Sequence, residues 1–204
     1  MSATRRQPAR RGEGDRLREE LLDATERILL REGDADRVSV RAIAAQVGCA
    51  PGAVYMHFAD RQDLLFAVCE RHFAELDRRA EVAVAAHDDP VEALAAMGKA
   101  YVDFGLAHPE AYRVLFMTPA APVEFTDERV APTAAFDRLV GAVQRCIDAG
   151  RFADHSDAWL VATGLWSSVH GVTSLLVAKP AFPWPPVDQL VDHVLQVASR
   201  GLTA

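Results

Sequence analysis

The chain predicts an all-α fold of about nine helices, on three observations. Apolar residues recur at helical spacing through most segments, no stretch alternates with period two, and capping residues, glycines and prolines divide the periodic stretches. Leu17, Leu21, Ala24 and Ile28 share one helical face and Gly33 supplies a stop, which predicts a first helix from about Asp15. Ser39 caps a second over 40–47, closed by Gly48. Pro51 suits the first turn of a third helix ending near Phe58, and Asp60 with Asp63 forms a capping-box pattern that opens a fourth, reaching about Ala86. Asp89, Pro90 and Glu92 start a fifth, whose stripe is Leu94, Met97, Tyr101 and Phe104. Pro109 restarts the chain into a sixth. Phe136, Leu139, Val140, Val143 and Ile147 make the seventh, up to Gly150. The eighth runs uncharged from Ala158 to Ala178, and four prolines separate it from a ninth carrying Leu190, Val191, Val194 and Ala198.

Half of the 204 residues are hydrophobic, enough for one sizeable core and a small satellite domain. The net charge of −7 argues against a uniformly basic surface, but it is unevenly divided. Residues 1–61 hold 11 arginines against 10 acidic residues, whereas the remainder holds 11 basic against 19 acidic ones. Cys49, Cys69 and Cys146 have neither metal-ligand spacing nor an even number for pairing, which fits a reducing cytoplasm. Arg5, Arg6, Arg10 and Arg11 are followed by no apolar run, so 1–14 reads as a basic arm rather than an export signal. The uncharged eighth helix is long enough to span a bilayer, yet Thr163, Ser167, Ser168, His170, Thr173 and Ser174 are spread along it. It is expected to be covered by protein, with no membrane partner.

Two short helices joined by a glycine-containing turn and backed by an amphipathic helix follow the helix-turn-helix plan, in which the second of the pair enters the major groove of DNA. Val40, Ile43, Ala44 and Val47 would face Val54, Phe58 and the first helix. That leaves Arg41, Gly52, Ala53, Tyr55, Met56 and His57 outward or at the rim. Small residues permit close approach to a sugar-phosphate backbone, and Tyr55 and His57 can donate hydrogen bonds to it. Packing between helices is the competing reading of those two rings. The third helix lacks the Arg, Asn or Gln that usually pairs with base edges. Ala53 or Met56 against thymine methyls, Arg41, and the shape of the duplex are left to read sequence. Two readings of the arginine arm stand: contacts to DNA, and a solvated tail.

Val40-Arg41-Ala42-Ile43-Ala44, Gly48-Cys49-Ala50-Pro51-Gly52, Val54-Tyr55-Met56-His57-Phe58 and Arg61-Gln62-Asp63-Leu64-Leu65 together resemble the DNA-binding signature of TetR-type transcriptional regulators. The resemblance implies a homodimer with a DNA-binding domain at 15–66 and a ligand-binding and dimerisation domain at 67–204. It implies a double-stranded palindromic operator contacted by Ser39, Arg41, Ala50, Pro51, Gly52, Ala53, Tyr55, Met56, His57 and Arg61. It also implies release by a small-molecule inducer, of an identity the residues do not give. The family usually has Lys where this chain has Arg61, whose role would be a phosphate contact. Trp166-Ser167-Ser168-Val169-His170-Gly171, with 108–116, resembles the family's Trp-His-Gly type of C-terminal domain.

Met97, Tyr101, Phe104, Phe116, Trp166 and His170 are the candidate ligand-binding residues. An ordinary core is the competing reading; a cavity among them would take an apolar or aromatic ligand with one or two polar groups. The eighth and ninth helices are apolar on more than one face, so one face is expected to serve the monomer and the other a second copy. No G-x-S-x-G, H-E-x-x-H, Walker or dinucleotide motif is present, and neither a cofactor, a metal nor catalysis is expected. Asp154, His155, Ser156 and Asp157 read as a helix cap. The alternative function is a helical small-molecule-binding protein or an enzyme assembled in the C-terminal pocket from residues distant in sequence.

Overall fold

The computed structural model describes residues 13–117, 131–153, 157–200 and 202. Among these, nine α-helices occur and no strand: α1 (Glu13–Glu32), α2 (Val40–Val47), α3 (Pro51–Val54), α4 (Arg61–Ala85), α5 (Pro90–Ala107), α6 (Pro109–Phe116), α7 (Ala131–Asp148), α8 (Ala158–Ala178) and α9 (Val187–Ser199), with a 3-10 turn at Ala35–Arg37. The arginine arm and residues 154–156 lie outside the described residues. The chain forms two compact units, one of Met1–His72 with Tyr112–Thr126 and the other of Phe73–Ala111 with Asp127–Ala204. The expected boundary at 66/67 therefore falls inside α4, and the first unit also takes the second half of α6.

In the first unit α1 buries Leu21, Leu22, Ala24, Ile28 and Leu29 on one face. Thr25, also buried, returns its hydroxyl to the Leu21 carbonyl at 2.7 Å. Ile43 and Ala44 of α2, Val54 and Phe58 beside α3, Leu64 and Val68 of α4, and Val114 of α6 complete this core. Gly33 and Gly48, at φ of +65° and +78°, end α1 and α2 in the left-handed conformation that glycine tolerates best. Asp60 accepts the Asp63 amide at 2.8 Å, the first half of the expected capping box, while Asp63 reaches back to the amide of Ala59 at 2.9 Å, one residue before the cap. α1 and α4 are also joined by charge: Arg71 reaches Asp23 at 2.6 Å and Glu26 at 2.5 Å. His72 Nε2 lies 3.1 Å from the Glu26 carboxylate.

One element is shorter than its sequence suggests. α3 is regular for four residues only, after which the Met56 and His57 amides bond three residues back, to Ala53 and Val54. Phe58 then closes the turn by bonding the Val54 carbonyl at 3.1 Å. Val54 and Phe58, four residues apart, both enter the core.

In the second unit α8 packs against α5, α7 and α9. Its buried side is Ala162, Leu165, Val169, Val172, Thr173, Leu176 and Val177. Asp157 caps it by accepting the Trp159 and Leu160 amides, and Asp89 caps α5 in the same way through Val91 and Glu92. Cys146 and Val143 of α7, both fully buried, and Phe152 beyond it fill the space next to Leu94 and Met97 of α5. Arg138 holds Asp77 through two bonds of 2.6 and 3.0 Å, a bidentate pair joining α7 to the second half of α4.

Ile43 is fully buried at the contact of α2 with α1. Ile43→Ala should lower the unfolding free energy by about 2–5 kcal/mol in urea titrations, from lost burial and the cavity left behind.

Candidate nucleic-acid interface and ligand pocket

The helix-turn-helix surface is built by anchoring alternate parts of a short segment. Ser39 Oγ accepts the Ala42 amide at 3.2 Å and starts α2, leaving Arg41 exposed in the first turn. The Gly48 and Cys49 amides both bond the Ala44 carbonyl at 2.9 Å, which turns the chain sharply. Ala50 then enters α3 in extended conformation with Pro51 in the first turn. Val54 and Phe58, 1% and 3% exposed, fix the segment from beneath, and Tyr55 and Met56 are left 56% and 84% exposed. Ala50, Pro51 and Gly52 are exposed beside them, and a Cβ at Gly52 would meet nothing within 4 Å. Ala53 and His57 are half-buried. The His57 ring lies beside Gly14, 3.8 Å from where a Cβ there would sit, an ordinary packing distance.

Arg61 departs from the expectation of a side chain free to meet phosphate. Its Nη1 donates to the Ala35 carbonyl at 2.6 Å and to that of Val38 at 3.4 Å, and its Nη2 meets Asp36 at 3.2 Å. The sequence carried no sign of this, because the partners are more than twenty residues away and two of them are backbone.

Of the six candidate ligand-binding residues, the structure brings three together in the second unit. Tyr101 OH and His170 Nδ1 share a hydrogen bond of 2.9 Å between α5 and α8. The Trp166 ring lies 5.6 Å from that of His170. Phe136 of α7 stands edge-on to Trp166 at 5.9 Å and was visible in the sequence only as part of a helical stripe. Burial pushes the His170 imidazole below its ordinary value. Met97 is instead absorbed into the core with Leu94 and Val143. Phe104 is 1% exposed, with its ring 5.6 Å from His108 and under the Arg79 guanidinium. Phe116 belongs to the first unit, 4.9 Å from the ring of Tyr112. Helical spacing had put Met97, Tyr101 and Phe104 on one stripe; their neighbours separate them.

Two family models match. Residues 21–68 match that of "Bacterial regulatory proteins, tetR family", and residues 94–198, just over half of the chain, match "Tetracyclin repressor-like, C-terminal domain". The chain belongs to the TetR family of transcriptional regulators.

Among its relatives in this TetR family is an HTH-type transcriptional regulator of Mycobacterium bovis, 28% identical over 155 residues, which are 74% of this chain and 64% of that protein. Regulators of Mycobacterium tuberculosis match to the same extent, so the chain spans about 64% of the length of these curated relatives. A protein of unknown function from Rhodococcus sp. RHA1 superposes with a TM-score of 0.78 at 31% identity, covering 98% of this chain and 100% of that one. The regulator FadR from Bacillus subtilis, solved with stearoyl-CoA, has the same fold at 17% identity, with a TM-score of 0.77 over 90% of this chain and 98% of that one.

For this TetR-family chain the depressed His170 pKa fixes a pH dependence. The unfolded chain takes up a proton near the ordinary value of 6.5, which the folded site resists. Stability should therefore fall as the pH drops from that value through the folded pKa, and level off below it. Proton NMR of the imidazole should show a midpoint below 6.5, and His170→Gln should flatten this part of the stability profile.

Proposed function

We propose that the chain is a cytoplasmic, dimeric, sequence-specific DNA-binding regulator that represses from a palindromic operator and is released by a small apolar or aromatic ligand. The observation that carries the reading is the exposure of Tyr55 and Met56 on a segment pinned by Val54 and Phe58. A methionine 84% exposed beside a tyrosine and an unobstructed glycine forms a projecting apolar and hydrogen-bonding surface on the part of the chain that matches the family's DNA-binding model. Tyr55 and His57 would bond phosphates, with Ser39 and Arg41 doing so at the start of α2. Met56 and Ala53 would meet thymine methyls, and duplex shape would supply the rest of the selectivity. Ala50, Pro51 and Gly52 would allow close approach.

The second unit would supply the other two functions. Along α8, Leu160, Gly164, Ser167, Gly171 and Leu175 fall on one face, with Leu160 and Leu175 70% and 52% exposed. A Cβ on Gly164 or on Gly171 would meet nothing within 4 Å. Val197 of α9 is 51% exposed. Paired with its equal in a second copy, this surface gives a two-fold helical interface, and the dimer then offers two reading segments to half-sites about 34–36 Å apart. Tyr101, Trp166 and His170, with Phe136, form the aromatic group to which an inducer would bind, its polar end at the tyrosine–histidine pair. Trp166, His170 and Gly171 keep the proposed Trp-His-Gly assignment.

Selection from a random duplex pool should enrich a palindrome with the parent protein. Tyr55→Ala combined with His57→Ala should lower affinity by at least about tenfold at fixed salt, from two lost hydrogen bonds to charged oxygens. Failure of the folded parent to enrich any sequence would reject the proposal. In sedimentation, the parent should be a dimer and Gly164→Arg with Gly171→Arg a folded monomer; a monomeric parent would remove the two-fold interface.

A further inference from the structure

We infer that Arg61 is a positioning residue of the DNA-binding surface, a clamp that sets the direction in which the chain runs into α2, and that it is not a phosphate contact. The inference rests on the regulator reading of the first unit. The Arg61 side chain is 27% exposed and its donors converge on the 3-10 turn. Ala35 O already accepts the Val38 amide at 3.1 Å, and Arg61 Nη1 adds a second, charged donor to it at 2.6 Å. The Val38 carbonyl is touched by the same nitrogen, while the Val38 side chain is 1% exposed in the core. This residue is thus held through its side chain on one side and its carbonyl on the other. The next residue is Ser39, the cap of α2, and Arg41 follows in the first turn. A guanidinium can serve two carbonyls and the Asp36 carboxylate together because its donors lie in a rigid plane; an ammonium at the same place offers one point of charge. Turning Arg61 outward to a phosphate would break these bonds and leave Asp36, 79% exposed, as an unneutralised negative charge beside the DNA-binding face.

The test uses the full chain with Arg61→Lys and Arg61→Ala, both checked for native helicity. Amide hydrogen exchange in the free protein comes first. Exchange at Arg37, Val38 and Ala42 should be faster in both variants than in the parent, and unchanged exchange would overturn the clamp without reference to DNA. Affinity for the selected operator is then measured across a salt series. Arg61→Lys should bind about tenfold more weakly than the parent, with the same slope of log affinity on log salt. A lysine variant that binds like the parent, or an Arg61→Ala slope shallower by about 0.9 per half-site, would show a phosphate contact and overturn the inference. A parent that binds no duplex would refute the regulator reading, and the exchange result would still decide the clamp.

Discussion

The outward projection of Tyr55 and Met56 depends on the burial of Val54 and Phe58. A four-residue helix has no stability of its own in water, since forming the first turn orders several residues for a single hydrogen bond. α3 persists because those two side chains sit in a core supplied by α1, α2 and α4. With its underside fixed, its outer side need contribute nothing to folding. That is why the chain can place a methionine, a tyrosine, a glycine and alanines there.

Charge follows a similar division. Ion pairs at the edge of the first unit's core tie α1 to α4, where Arg71 gathers Asp23 and Glu26. His72 foremost, with Arg71, holds the Glu26 carboxyl below its ordinary value against the opposing effect of burial. Its stabilising share is present above the usual carboxylate range and is lost as the pH falls through the lowered pKa. The nearly balanced charge of residues 1–61 would suit the proposed recognition by a few placed donors instead of a broad basic patch.

Local chemistry was what the sequence made legible. Ser39, Gly48, Asp60 with Asp63, Asp89, Asp157 and Gly33 act within four residues of themselves, and each terminates or starts the helix it was expected to. Non-local choices were not legible. Helical period put Met97, Tyr101 and Phe104 on one stripe, but whether a stripe residue meets core, a histidine or an arginine is decided by other helices. Phe116 shows this most clearly, since α6 divides between the two units partway along its length. Arg61 is the parallel case among polar residues: the family resemblance implied a phosphate contact, and the carbonyls that capture it lie more than twenty residues away in the chain.

α8 poses a problem that its own hydroxyls help resolve. By length and composition it could cross a bilayer. Its polar residues, however, spend their donors within the helix: Thr163, Ser167, Ser168 and Thr173 each bond the carbonyl four residues back, and Ser174 that of Gly171. A surface so treated asks little of water, and it is also smooth, since the hydroxyls lie along the helix and two of its positions are glycines. Such a face gains most from close contact with another helix, where small residues let backbones approach and where Leu160 and Leu175 at either end would be covered. Lipid would offer no matching shape and would leave the caps at Asp157 and Lys179 at hydrocarbon edges. A second copy offers an identical surface with the same end-to-end pattern, which is the arrangement that two-fold symmetry requires.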